Sequence, residues 1–188
     1  VKENRIIRIM EKPKNPPTNL AVTGIYFLTP KIFEVFSRLK PSHRNELEIT
    51  DALQMMLEEK NRINFEMITD YWKDTGTPDD IIHANGEIIK KMPEYFYGKK
   101  SENTKISGKV LTGKNSVIAE NTIITGPVII GENCKINSGV IIGPNTSIGN
   151  NSIINRGNIE NSIIMENCEI DSTAKIRNSI ISNNSKII

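Results

Sequence analysis

The sequence predicts a chain of two unlike parts, a mixed α/β segment followed by an all-β coil of six-residue repeats. Three observations predict this. All ten aromatic residues lie at or before Tyr97. Isoleucine recurs every sixth residue from Ile106 to Ile154, with one substitution. Helical spacing of apolar residues is confined to the part before Gly98. The boundary is expected within Lys91–Asn103, where a proline, an aromatic cluster and a lysine pair break the pattern. The expected domains are therefore 1–97 and 98–188.

Composition narrows the class. The chain has 188 residues, a net charge of +2, 37% hydrophobic residues and two cysteines. That length suits one ordinary domain or two small ones. No apolar run is long enough for a membrane span, and the start, VKENRIIRIM, lacks the apolar stretch of a secretory signal. Near-neutral charge argues against a dedicated nucleic-acid binder. Two cysteines are too few for a disulfide scaffold or a cysteine-built zinc site. A cytoplasmic protein is the expectation.

The repeat carries the strongest signal. Its heads are Ile106, Ile118, Ile124, Ile130, Ile136, Ile142, Ile148 and Ile154, with Thr112 filling the gap. Four residues after the heads come small or β-branched side chains such as Ser116, Thr122, Val128, Cys134, Val140 and Ser152. Three residues after them come Asn115, Asn121, Asn133, Gly139, Asn145, Asn151 and Gly157. Asparagine and glycine tolerate the positive φ that a short strand needs to turn a corner. The step shortens by one residue at Ile159 and Ile164, resumes at Ile170 and Ile176, and shortens again to Ile181. This pattern resembles the left-handed parallel β-helix of hexapeptide repeats, in which three hexads make one triangular coil around the head residues. One coil cannot bury its own face, but stacked coils share a column of isoleucines. An ordinary β-sandwich is the alternative, and nine heads in register speak against it.

The register also places the cysteines. Cys134 and Cys168 fall six hexads apart, on one face and two coils distant. Stacked strands put their Cα atoms about 9 to 10 Å apart, beyond the roughly 7 Å a disulfide spans. Two reduced, inward-facing cysteines are expected.

Before Gly98, strands are expected at Arg5–Met10, Leu20–Leu28 and Ile63–Ile68, and helices at Lys31–Leu39 and Ile49–Lys60. A further helix starts with Thr77 as N-cap, Pro78 at the first position and Asp80 in the first turn. Its apolar stripe is Ile81, Ile82, Ile88, Ile89 and Met92.

Four segments in this part bear chemistry. Glu11-Lys12-Pro13 sets a carboxylate and an ammonium at a strand end, although a solvated turn is the plain reading of such a pair. Ala21–Phe27 holds Gly24 inside a strand, which fits either a ligand's close approach or a bulge. His43–Asp51 crowds Arg44, Glu46, Glu48 and Asp51 before a helix, by default a capping and ion-pair cluster. Trp72–Gly76 places Asp74 in a loop, as a helix cap or a divalent-metal ligand.

In this order and spacing, EKP, NLAVTGIYF, RNELEITDA and YWKDTGTPDD resemble the sugar-1-phosphate nucleotidyltransferases, and within them the glucose-1-phosphate thymidylyltransferases. The resemblance spans about Ile6 to Met92. Longer members carry a C-terminal left-handed β-helix, in keeping with the repeat. The resemblance implies attack of a sugar-1-phosphate oxygen on the α-phosphate of a nucleoside triphosphate, with release of pyrophosphate. It implies Lys12 and Arg44 as catalytic contacts to phosphate, and Glu11 as acceptor for sugar hydroxyls. Val22, through its main chain, and Tyr26 would line the sugar. Asp74 would be one of two aspartates holding Mg²⁺, and Trp72 would pack the loop. A homo-oligomer is also expected.

Two departures accompany the resemblance. Asn45 stands where the family generally has glycine, which bears on the loop that aims Arg44. The family's glycine-rich phosphate loop and its second metal aspartate have no counterpart here, and Val1 is not a methionine. The chain is therefore expected to be a C-terminal fragment, an α/β remnant of a nucleotidyltransferase domain plus the β-helix, inactive by itself. Two other functions compete for the coil. Many left-handed β-helices are acyl-coenzyme A-dependent acyltransferases, but these usually need a general base, and no histidine follows His83. The coil could instead be a purely structural or oligomerisation module, the role preferred here.

Overall fold

In the computed structural model, which describes Val1 and residues 5–188, the repeat heads stack into three columns. Ile118, Ile136, Ile154 and Ile170 form the first, in register on parallel strands. Ile106, Ile124, Ile142, Ile159 and Ile176 form the second. Thr112, Ile130, Ile148, Ile164 and Ile181 form the third. Apart from Ile106 and Ile181, which are partly covered, these side chains are buried. Every strand pairing in the coil is parallel, and one face stacks five strands from Val110–Thr112 to Ile180–Ile181. This is the left-handed parallel β-helix that the hexads predict.

The corners follow the asparagine rule. Asn115, Asn121, Asn133, Asn145 and Asn151 have φ between 55° and 62°, and Gly139 has φ 79°. Gly157 departs from it, lying inside the unbroken strand Ile153–Glu160. Between Ile154 and Ile159, where the repeat loses a residue, one strand runs on from the first face to the second. The shortened steps to Ile164 and Ile181, by contrast, keep left-handed corners at Asn161 and Asn178. Glu169–Arg177 also runs on as one strand one coil later, over a full six-residue step, so the register shifts along the pair. The small inward residues satisfy their polar atoms within the coil. The Ser116 hydroxyl donates to the Gly131 carbonyl at 2.6 Å and accepts the Cys134 N–H at 2.9 Å.

Both cysteines are buried and free. The Lys135 N–H donates to the Ser152 carbonyl and the Ile153 N–H to the Cys168 carbonyl. Ser152 therefore occupies the coil between Cys134 and Cys168, the two-coil separation expected from the register.

The chain divides into two compact units, Val1–Asp70 and Tyr71–Ile188. Composition changes at Gly98, but α3 (Pro78–Lys91) already packs with the β-helix. Thr77 caps α3 by accepting the Asp80 N–H, and Pro78 stands in its first turn, as its sequence requires. The buried face of α3 is Ile82, Ala84, Gly86 and Ile89, whereas Ile81 and Ile88 of the expected stripe are exposed. Residues Ile82, Gly86 and Ile89 follow one helical face, and Gly86 admits the Asn145 side chain against the backbone. Asn85 donates to the Asn145 carbonyl and accepts the Ser147 hydroxyl. Lys109 donates to the carbonyls of Lys90 and Met92, which the end of α3 leaves without helical partners.

In the first unit, α1 (Ile32–Phe36) packs on α2 (Ile49–Glu58) through Ile32, Val35, Ala52 and Met56. The three expected strands are not strands here. Arg5–Met10, Leu20–Leu28 and Ile63–Ile68 pair with no segment in a ladder among the described residues. A strand exists through its neighbour's hydrogen bonds, and side-chain alternation cannot supply that neighbour. Phe27, 97% exposed, shows the result.

Candidate active site

The Glu11-Lys12-Pro13 segment runs beside the N-terminal half of α2. The Ile9 N–H donates to the Gln54 side chain at 2.8 Å and anchors the approach. Glu11 then engages two partners. Its Oε2 accepts the Thr50 hydroxyl at 2.7 Å, and its Oε1 accepts Arg44 Nη1 at 3.3 Å. Arg44 also pairs with Glu46 at 3.0 Å and Glu48 at 3.3 Å. Glu48 is buried and accepts the Ser42 hydroxyl at 3.0 Å.

The loop before α2 is built to aim Arg44. Its N–H donates to the Ser42 hydroxyl, and the Ser42 N–H and carbonyl bond to Glu46 and Asn45 across a tight turn. Asn45 has φ 60°, a left-handed conformation open to glycine and asparagine. Asparagine thus preserves the turn that the family's glycine implies.

One guanidinium faces three carboxylates, so the cluster carries excess negative charge. Lys12, the neighbouring cation, is exposed and makes no ion pair among the described residues. Its φ of 33° is an uncommon conformation for a lysine, of the kind that accumulates at binding sites at a cost of about 1–3 kcal/mol. Tyr26 is half-buried, and its hydroxyl pKa is raised by burial and then by the charge of Glu11. Val22 is exposed. Gly24 has φ 75° with open space around it, so the backbone conformation, rather than crowding, calls for glycine. A cavity of about 360 Å³ opens beside the cluster, lined among others by Glu11, Pro13, Ser42, His43, Asp51 and Gln54.

Asp74 belongs to the second unit, exposed on the loop before α3. Its neighbour Lys73 pairs with Asp80 at 2.6 Å, which raises the lysine's pKa and, with Thr77, lowers that of Asp80. No group of three or more His, Cys, Asp or Glu side chains among the described residues could hold a metal ion. Asp74 offers the oxygen chemistry that Mg²⁺ favours, but a lone exposed carboxylate does not make up a site.

The structure therefore joins Glu11 and Arg44 directly and brings Tyr26 within their electrostatic reach, while Lys12, Val22 and Asp74 stand exposed. Sequence reading missed Thr50, and it assigned Glu48 and Ser42 no part in the site. A threonine in the first turn of a helix carries no signal that it reaches a carboxylate 39 residues away.

Residues 1–91 match the nucleotidyl transferase family, ending at the last residue of α3, and residues 124–188 match the GMPPB C-terminal domain. The first match places residues 1–91, just under half of the chain, with the nucleotidyl transferases. It is 40% identical over 185 residues to the bifunctional protein GlmU of Methanococcus aeolicus, covering 98% of this chain and 41% of that protein. It is 38% identical over 108 residues to the low-salt glycan biosynthesis nucleotidyltransferase Agl11 of Haloferax volcanii, covering 57% of this chain and 30% of the relative. A glucose-1-phosphate thymidylyltransferase of Streptomyces antibioticus is 35% identical over 114 residues, which is 61% of this chain and 32% of that enzyme. The chain thus spans well under half the length of these relatives. No helix among its described residues is long and apolar enough to cross a membrane.

Proposed function

We propose that residues 1–97 form the C-terminal, sugar-binding half of a nucleotidyltransferase domain, and that residues 98–188 form its β-helix module. The reaction is transfer of a nucleotidyl group from a nucleoside triphosphate to a sugar-1-phosphate, giving a nucleotide-sugar and pyrophosphate. Glucose-1-phosphate and dTTP are the substrates best supported by the motifs and by the thymidylyltransferase relative. The observation that carries the reading is the meeting of Glu11 and Arg44, 33 residues apart, beside Lys12, which makes no ion pair among the described residues.

In this reading the oxygen of the sugar-1-phosphate attacks the α-phosphate, and the P–O bond to the departing pyrophosphate breaks. Catalysis of such transfers is mostly positioning and charge neutralisation. The Lys12 ammonium offsets the repulsion between two anions brought together. Arg44 presents a planar fork to the sugar phosphate, exchanging part of its carboxylate pairing for phosphate oxygens. Glu11 accepts hydroxyl hydrogen bonds from the sugar, the main chain at Val22 lies along it, and Tyr26 closes behind. Asp74 is proposed as one donor for the Mg²⁺ the family generally employs. The protein acts as a cytoplasmic homo-oligomer, with the β-helix as its structural module.

A second reading has one observation in its favour. The similarity to the bifunctional relative runs along nearly the whole chain, the β-helix included. An acyltransferase activity on the coil would then accompany nucleotidyl transfer, although residues 98–188 contain no histidine base.

The test is pyrophosphate release by the full-length protein carrying this chain, with a panel of sugar-1-phosphates and nucleoside triphosphates. The fastest pair is expected to be glucose-1-phosphate with dTTP. Lys12→Ala and Glu11→Gln should each lower kcat/KM by about 10²-fold or more. Absence of pyrophosphate release with every pair would sink the reading. Acetyl transfer from acetyl-coenzyme A to an amino-sugar phosphate would establish the second activity.

A further inference from the structure

We propose that Thr50 is a positioning residue that fixes the carboxylate of Glu11 for sugar recognition, an assignment that rests on the reaction proposed above. Two local departures from ordinary helix chemistry converge on this point. A threonine hydroxyl near a helix start commonly bonds to a backbone group close by in the chain. Thr50, 6% exposed, instead donates to Glu11 Oε2 at 2.7 Å. The N-cap of α2 is Glu48, which makes no side-chain cap, although N-caps favour short side chains that close the first turn. Its carboxylate turns to Arg44 and Ser42. The first turn of α2 forgoes local bonding at both residues, and both freed groups support the Glu11–Arg44 pair. Such local inconsistencies concentrate at functional sites.

The geometry specifies what Thr50 does. A carboxylate held only by Arg44 through Oε1 can rotate about that contact. A second bond at Oε2 fixes the plane of the group, so its remaining lone pairs point in set directions. Hydrogen bonds to a charged acceptor are short and directional enough to do this. A sugar hydroxyl then meets an acceptor already oriented.

The experiment compares Thr50→Val, which keeps the volume and removes the hydroxyl, with Thr50→Ser, which does the reverse. In the full-length protein, Thr50→Val should raise the KM for the sugar-1-phosphate about tenfold while the KM for the nucleotide stays within about twofold. Thr50→Ser should stay within about twofold on both, and Thr50→Val should add nothing to Glu11→Gln. A purely packing role predicts the opposite order of the two variants; that order, equal shifts in both KM values, or full additivity with Glu11→Gln overturns the proposal. If the wild-type protein transfers no nucleotidyl group, the reaction itself fails. Thr50 is then judged by carbon-13 NMR of the Glu11 carboxyl, identified by its loss in Glu11→Gln. That signal should move in Thr50→Val and return in Thr50→Ser, and an unmoved signal overturns the proposal. Thr50→Ala replaces the valine variant should the latter not fold.

Discussion

The Ser147 hydroxyl on the β-helix donates a 2.5 Å hydrogen bond to Asn85 Oδ1 on α3. One residue along α3, a Cβ placed on Gly86 would stand 3.1 Å from Asn145 Oδ1. An alanine in a helix is ordinarily more stable than a glycine by about 1 kcal/mol. At Gly86 that gain should vanish, and Gly86→Ala should lower the thermal unfolding midpoint. Asn145, at φ 55°, can itself become glycine without backbone strain. In the Asn145→Gly background, Gly86→Ala should therefore recover the helix gain. A stabilising Gly86→Ala in the parent sequence refutes the docking described.

The isoleucine columns should dominate the stability of the coil. Ile136 is fully buried between Ile118 and Ile154, so Ile136→Ala is expected to cost about 2–5 kcal/mol in urea unfolding. Ile123, 40% exposed on an outer face, should lose only about 0.5 kcal/mol when truncated. Similar losses at the two positions would contradict the columnar core.

Corner asparagines should be replaceable by glycine and little else. Asn121, with φ 56°, is exposed on its corner. Asn121→Gly should be near neutral, whereas Asn121→Val should cost about 1–2 kcal/mol or more through the left-handed conformation. Equal unfolding midpoints for the two variants would refute this account.

The coil should weaken in alkali through Cys134. Burial raises its thiol pKa, with opposing help to the thiolate from backbone and Ser116 hydrogen bonds. The unfolded thiol therefore ionises first as the pH rises, and the unfolded state binds fewer protons than the folded one. Stability contributed by the neutral thiol is complete below the ordinary thiol pKa and is lost as the pH climbs towards the folded value. Between pH 7 and 10, Cys134→Ser should lose less stability in urea than the parent; an equal loss would assign the effect elsewhere.

The β-helix was legible in the sequence to the level of single side chains, because its order is one-dimensional. Each head residue answers only to neighbours one coil away, so Ile130 or Asn133 reveals its place through spacing alone. Helix α3 was legible at its start, where Thr77, Pro78 and Asp80 act locally. Its buried face was less so, since the docking of Ile82 and Gly86 depends on a surface 60 residues further on. The extended segments around Ile7, Val22 and Met67 show the limit from the other side. Alternation predicts which faces a strand would offer but not whether a partner is present to receive them. At the site, Glu11 and Arg44 were visible through their motifs. Thr50 was not, since its role exists only once α2 lies beside Glu11.

The shortened steps at Ile159 and Ile164 show how the coil tolerates turns of unequal length. Between Asn115, Asn133 and Asn151 the repeat length is eighteen residues, the side chains linking one to the next. Further along, Ser152 and Cys168 are joined over sixteen, and Asn161 and Asn178 over seventeen. The early turns are interchangeable, so a whole turn could be duplicated there and every later isoleucine would still find its column. The later turns differ in length, and yet Ile154 still meets Ile170, Ile159 meets Ile176 and Ile164 meets Ile181. The corner between the first two faces is therefore the place where this rod absorbs a change of one residue without losing its columns.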